Sequence, residues 1–218
     1  MTVPPRPKLY HIVHIDRLAS IVSDGQLMCD ARMSQRQEVG TMIGMRSIKQ
    51  RRLGLPISCH SGLRVGDCVP FYFCHRSVML YLIHRGNNPE LSYQDGQGPI
   101  AHLEFDMHEA IAWAEQNRRR WAFTLSNAGA YYFEDRCDIG QLGEINWEAV
   151  RANQWAGNGV PASLKEGKQA EFLVEKSVPW ELVNRVGVIN RTMAQRVSAA
   201  LPESGHRPTV EIMQSWYY

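Results

Sequence analysis

Lys168-Gln169-Ala170-Glu171-Phe172-Leu173-Val174 is the stretch on which the reading of this chain turns. Phe172, Leu173 and Val174 have strand character, and Val178-Pro179-Trp180 reads as a further sheet element near the core. One carboxylate, Glu171, stands inside that apolar run, and a chain rarely withdraws such a charge from water unless it is paired or used. Beside a cleft it could stabilise developing positive charge. The plainer alternative is an edge-strand side chain paired with Lys168 or Lys176.

The second unusual feature lies upstream. Arg46, Lys49, Arg51 and Arg52 crowd one short segment in which Ile48 and Leu53 give only a thin apolar anchor. It reads either as a solvated helix end or as an anion site. Before it, the polar stretch Cys29 to Gly44 is irregular and long enough for a covering loop.

The chain has 218 residues, 44% hydrophobic and 21% charged, with net charge +2, which is ordinary for one globular domain and by itself neither requires nor excludes a polyanionic partner. Met1 to Lys8 is Pro-rich and reads as a flexible leader without the apolar core of a signal peptide, and no run of about 18 apolar residues occurs. With no membrane segment, a cytoplasmic protein is expected. Five cysteines, Cys29, Cys59, Cys68, Cys74 and Cys137, form no CxxC pair and are not spaced like a zinc site. His11, His14, His60, His75, His84 and His102 form no ligand pattern, so no catalytic metal is expected. Dinucleotide-fold, P-loop, zincin and hydrolase-elbow signatures are all absent.

Short mixed elements, without repeats, predict an α+β fold. Strands are expected at Leu9 to Val13, Cys68 to Phe73, Pro99 to Phe105, Trp121 to Thr124, around Glu171, at Val186 to Ile189 and near Val210 to Ile212. Helices are expected after Asp16 as cap, ending at Gly25; after Ser77; from about Asp106 to Asn117; and from about Asn146. Gly157 to Gly167 reads as a loose linker.

Taken in order, Tyr10-His11-Ile12-Val13-His14-Ile15, Ile48-Lys49-Gln50-Arg51-Arg52, Val69-Pro70-Phe71-Tyr72-Phe73, Arg76-Ser77-Val78-Met79-Leu80-Tyr81, Lys168 to Val174 and Trp216-Tyr217-Tyr218 resemble the DarT family of DNA-modifying ADP-ribosyltransferase toxins. The resemblance runs from about residue 9 to 218. It implies one ADP-ribosyltransferase domain over 9–218, a split β core with an NAD-binding cleft and peripheral helices. It also implies NAD as co-substrate without a metal, single-stranded DNA as acceptor, and a macrodomain-type or other ADP-ribosyl-hydrolase antitoxin as partner. By position, Glu171 and Arg52 match the catalytic pair, and His11, Tyr72, Tyr81, Leu27 and Arg46 fall to the NAD side. Lys49, Arg51, Asn127 and Trp155 fall to the DNA side. Gln154 to Gln169 corresponds to the substrate-recognition loop and Arg32 to Gly44 to the segment covering NAD.

One departure bears on the acceptor. Thymine-modifying members resemble FTD-x-H, whereas this chain reads Phe123-Thr124-Leu125-Ser126-Asn127, which brings guanine in beside thymine. Alternatively, Asn127 only supports the cleft wall. Tyr93, Tyr131 and Trp155 could stack bases or belong to the core. Two other functions remain open: a non-catalytic nucleic-acid-binding module, and a transferase acting on RNA or protein.

Overall fold

A computed structural model describes residues 2–36 and 40–218. In chain order the elements are β1 (Lys8–His14), α1 (Leu18–Asp24), β2 (Gln26–Met28), α2 (Asp30–Met33), α3 (Arg46–Arg52), β3 (Cys68–Tyr72) and α4 (Val78–Arg85). Then come β4 (Ile100–Asp106), α5 (Met107–Gln116), β5 (Trp121–Thr124), β6 (Asp135–Arg136), α6 (Trp147–Arg151) and α7 (Ala162–Gly167). The chain ends with β7 (Glu171–Glu175), β8 (Ser177–Pro179), β9 (Arg185–Val188), α8 (Arg191–Ala200) and β10 (Thr209–Ile212).

Eight strands form one sheet in the order β10-β9-β4-β1-β3-β7-β5-β6, while β2 and β8 pair separately. Its sides are well zipped: β1 and β4 share seven register pairs and β3 and β7 share five. The middle is not, because β1 meets β3 at one pair, Tyr10 with Tyr72. Pro70 explains the opening. Proline has no N–H to donate, and the Pro70 carbonyl, on the β1-facing edge, takes a bond from the His11 ring instead of β1 backbone. A ladder interrupted at one proline thus becomes a cleft.

Burial holds this geometry. Phe71, Phe105, Phe123 and Phe172 are among the largest fully buried side chains, and they pack with Leu9, Val69, Val174 and Val186 in the main core. At about 25 cal/mol per Å² of apolar surface, each fully buried aromatic contributes on the order of 2–3 kcal/mol. A second cluster joins Tyr10 and Ile12 to Leu80 and Ile83 of α4 and to the C-terminal Trp216 and Tyr217. Gly187 is required there, since a Cβ would lie 2.4 Å from the Trp216 ring.

The expected Ser77 cap is present, accepting from Leu80 N at 3.2 Å, and at the expected helix starts Asp106 accepts from His108 N at 3.0 Å and Asn146 from Ala149 N at 3.0 Å. Gly25 ends α1 in the left-handed region at φ 65°. Others differ. Asp16 does not cap α1; its carboxylate accepts from Thr41 N and Thr41 Oγ1, a contact 25 residues away. The stretch read as a loose linker contains α7, begun at Pro161, which suits a helix entry. The leader is tied down: Lys8 opens β1, and Arg6 and Lys8 both meet the buried Asp106 carboxylate.

Candidate active site

The seam between β1 and β3 opens into a cavity of about 250 Å³. The register delivers one wall: Tyr72 is the cross-strand partner of Glu171 as well as of Tyr10, so these side chains share a face of the sheet. His11 turns its ring into the split, with Nδ1 2.8 Å from the Pro70 carbonyl. A carbonyl only accepts, so Nδ1 carries the proton and Nε2 is left as an acceptor. Burial, and secondarily the nearby Lys49 charge, outweigh the Pro70 bond and lower the His11 pKa to about 4, keeping the ring neutral at physiological pH. Burial likewise pushes the Tyr72 hydroxyl up, and the Glu171 charge adds to it.

Glu171 begins β7 and is 4% exposed. Arg52, the last residue of α3, is 7% exposed and closes its fork on that carboxylate, Nη1 to Oε1 at 3.1 Å and Nη2 to Oε2 at 2.9 Å. Ala128 N also donates to Oε1 at 3.1 Å, and Thr124 Oγ1 accepts from Glu171 N at 3.1 Å. The carboxylate is therefore held by three hydrogen bonds from two groups, and Thr124 fixes the backbone behind it. For Arg52, burial alone would lower the pKa, but the Glu171 charge and hydrogen bonds prevail and the net direction is upward. The pairing with Lys168 or Lys176 is not formed. Lys168 instead donates to the Val150 and Ala152 carbonyls at 2.7 and 2.8 Å, holding the C-terminal end of α6.

The 126–130 loop is clamped onto this pair. Arg51 donates from Nε to the Gly129 carbonyl at 2.6 Å. Asn127 Oδ1 accepts from Gly129 N at 2.7 Å, and its Nδ2 donates to Gln169 Oε1 at 3.2 Å. Asn127 and Gln169 both line the cavity. Asn127 thus supports the wall, the plainer of its two readings, while still facing the site.

Of the residues singled out from sequence, His11, Leu27, Lys49, Arg52, Tyr72, Asn127 and Glu171 line the cavity together. Four do not. Arg46 is exposed at the start of α3. Arg51 points to the other side of α3, over the Tyr131 ring at 5.0 Å. Tyr81 packs edge-on against Trp155 and Tyr218 at 5.1 and 5.0 Å, because successive residues of α4 are rotated by about 100° and it is Met79 and Leu82 that face the cavity. Trp155 is buried there with Nε1 bonded to Tyr218 Oη. Tyr93 is buried as well, whereas Tyr131 and Tyr132 are 74% and 94% exposed.

Among the other lining residues, Thr41 to Gly44 fall in the segment expected to cover NAD and Gln169 in the expected recognition loop, while sequence reasoning missed Met28 and Met45 and gave Asp30 no role. Asp30 pairs with Lys49 at 2.8 Å and could have been sought as the acid facing the basic segment. Within the expected covering segment, Gln37 to Val39 lie outside the described residues. The rest is anchored to the body, Thr41 by Asp16 and Arg36 by Asp24 at 2.6 Å.

The family model for DarT, described as ssDNA thymidine ADP-ribosyltransferase, matches residues 10–218. This chain belongs to the DarT family. A DNA ADP-ribosyl transferase of Thermus aquaticus is 33% identical over 220 residues, covering 100% of this chain and 92% of the relative. Among solved structures, DarT of Thermus sp. 2.9 in complex with ADP-ribosylated ssDNA superposes with TM-score 0.87 at 33% identity, covering 100% of this chain and 99% of the other. The same protein in complex with NAD+ superposes with TM-score 0.80 at 33% identity over all of both chains. The DarT fold, an α+β ADP-ribosyltransferase fold, is therefore that of this chain, and the split β core expected from sequence is the seam described above. Among the described residues, no helix is long and apolar enough to cross a membrane.

Proposed function

We propose that this DarT-family chain cleaves the nicotinamide–ribose bond of NAD and joins ADP-ribose to a guanine or thymine base of single-stranded DNA, with Glu171 as the catalytic carboxylate and 9–218 as one catalytic domain. The observation that carries the reading is the buried, bidentate Arg52–Glu171 pair at the wall of the β1–β3 cleft. A buried ion pair is weak evidence for stability, because desolvation offsets the attraction. Its placement on a cavity argues for chemistry. Arg52 Nε supports a polar ligand here, being buried without a partner among the described residues.

Loss of nicotinamide leaves a sugar with oxocarbenium character. A fixed carboxylate in a water-poor site stabilises that charge at no reorganisation cost. Glu171 accepts the ribose 2′-hydroxyl bond, and as the base forms its bond to the sugar, the proton it loses passes to Glu171 and on to solvent. Arg52 holds the Glu171 carboxylate aimed through its two parallel bonds. Its fork is occupied by Glu171, so we assign it this task ahead of clamping a pyrophosphate. Neutral His11 offers Nε2 to a ribose hydroxyl, while Leu27 and Tyr72 enclose the nicotinamide side.

An unpaired strand suits such a site, since extracting a base from a duplex costs a few kcal/mol. Arg51 over the exposed Tyr131, with Tyr132 beside it, offers a cationic stacking platform next to the 126–130 loop. A toxin–antitoxin role, with an ADP-ribosyl hydrolase as antitoxin, follows from family membership and belongs to the same proposal. The test is incubation with NAD and four single-stranded oligonucleotides, each lacking one base, read by intact mass. Loss of the ADP-ribose adduct only without G identifies guanine, and loss only without T identifies thymine. Adducts on RNA or protein but on no DNA would overturn the reading.

A further inference from the structure

Outside the cleft, the fold gathers three metal-binding side chains that sequence spacing did not suggest. Cys59 and His60 lie in the loop after α3, and Cys137 follows β6, 77 residues further on. The two thiol sulfurs and an imidazole nitrogen lie within 4.8 Å of one another, all three side chains half-buried. None of them lines the cavity. We propose that Cys59, His60 and Cys137 bind one zinc ion that staples the loop after α3 to the β5–β6 hairpin.

The donor set is what zinc prefers: two thiolates at about 2.3 Å and one imidazole at about 2.0 Å, which a closure of roughly 1 Å among these side chains provides. The imidazole keeps one ring nitrogen free to ligate. His60 Nε2 lies 2.9 Å from the Trp121 carbonyl, an acceptor only, so Nε2 carries the proton and Nδ1 keeps its lone pair. A ligating histidine with its second nitrogen donating to a backbone carbonyl is the usual outer arrangement of such sites. Behind the ligands, Asp135 fixes the loop by accepting from Ser58 N at 2.9 Å, Ser58 Oγ at 2.6 Å and Cys59 N at 2.8 Å. Its carboxylate is thereby used, and water fills the fourth position. Binding releases the two thiol protons to solvent.

The staple would act on the site described above at one remove. Cys59 stands seven residues after Arg52, and the β5–β6 hairpin carries the 126–130 loop that meets Glu171. A disulfide between Cys59 and Cys137 is the competing arrangement, and His60 separates the two, because a disulfide has no use for it.

The test measures metal rather than transfer, so it fails or succeeds independently of the proposed reaction. Tag-free full-length protein is loaded with zinc, dialysed and assayed by elemental mass spectrometry. We expect about one zinc per chain, and less than about a tenth of that in His60→Ala and in Cys137→Ser. Zinc loading should raise the wild-type melting temperature by about 5 °C or more and leave that of folded His60→Ala unchanged. Equal zinc in the wild type and both variants would overturn the proposal. So would metal-free protein whose denatured form shows three rather than five titratable thiols, the mark of a disulfide.

Discussion

Replacing Glu171 by Gln keeps the side-chain volume and removes the charge, and the hydrogen bonds around the carboxylate set the cost. Oε1 accepts from both Arg52 Nη1 and Ala128 N, each at 3.1 Å, and Oε2 accepts from Arg52 Nη2 at 2.9 Å. If the amide nitrogen takes the Oε2 position, it meets the Nη2 donor; if it takes the Oε1 position, two donors lose their acceptor. The first arrangement costs less, about 1.5–3 kcal/mol for one charge-assisted hydrogen bond, below the roughly 3–5 kcal/mol of a fully broken buried pair. In a chain of this size that lowers the melting temperature by about 3–12 °C. Transfer should fall by on the order of 10³-fold, because the carboxylate acts both on the developing charge and on the proton. Calorimetry and intact-mass rates on single-stranded DNA read the two effects separately. The double variant Arg52→Met/Glu171→Leu should recover most of the stability and none of the activity, since apolar replacement of a buried pair is often neutral. More than about a tenth of the wild-type rate in Glu171→Gln, or any transfer by the double variant, would remove Glu171 from the chemistry.

Arg52→Lys keeps the charge but cannot form two parallel bonds, so transfer measured by the same assay should drop by about 10²-fold. Gly129→Ala places a Cβ 2.9 Å from Ile48 Cγ2 and 3.1 Å from Asn127 Oδ1. The loop must yield, loosening the Ala128 and Arg51 bonds; expect a loss of about 1–3 kcal/mol in denaturant melts, with a slower rate. For pH, burial lowers His11 and His75 to about 4 and His102 to about 3. Between pH 6.5 and 4 the unfolded chain binds these protons and the folded chain does not, so stability rises with pH through that window. The melting temperature at pH 5 should lie below that at pH 7, and a flat profile would count against the burial of these rings.

Much of the site was legible because its chemistry violates local pattern. A carboxylate in an apolar strand and four cations in seven residues both stand out in a sequence. Their pairing does not, since Arg52 and Glu171 are 119 residues apart and meet only when the fold brings the end of α3 to the start of β7. Strands rich in Phe and Val were plain, and so were Ser77 as a cap and the helix starts near Asp106 and Asn146. Asp16 was misread because a carboxylate before an apolar run looks like a cap whether it serves its own helix or a distant Thr41. Tyr81 was misplaced by one step of helix rotation. The Cys59, His60 and Cys137 group escaped notice because spacing rules for metal sites see only ligands close in sequence.

Whether Glu171 drives transfer from NAD to DNA is decided by a paired time course of nicotinamide release and adduct formation on single-stranded DNA, with wild-type and Glu171→Ala protein. The wild type should yield equal molar amounts of nicotinamide and ADP-ribosylated DNA, and the variant neither. Nicotinamide release without DNA adduct, or adduct formation that survives Glu171→Ala, would contradict the proposed transfer.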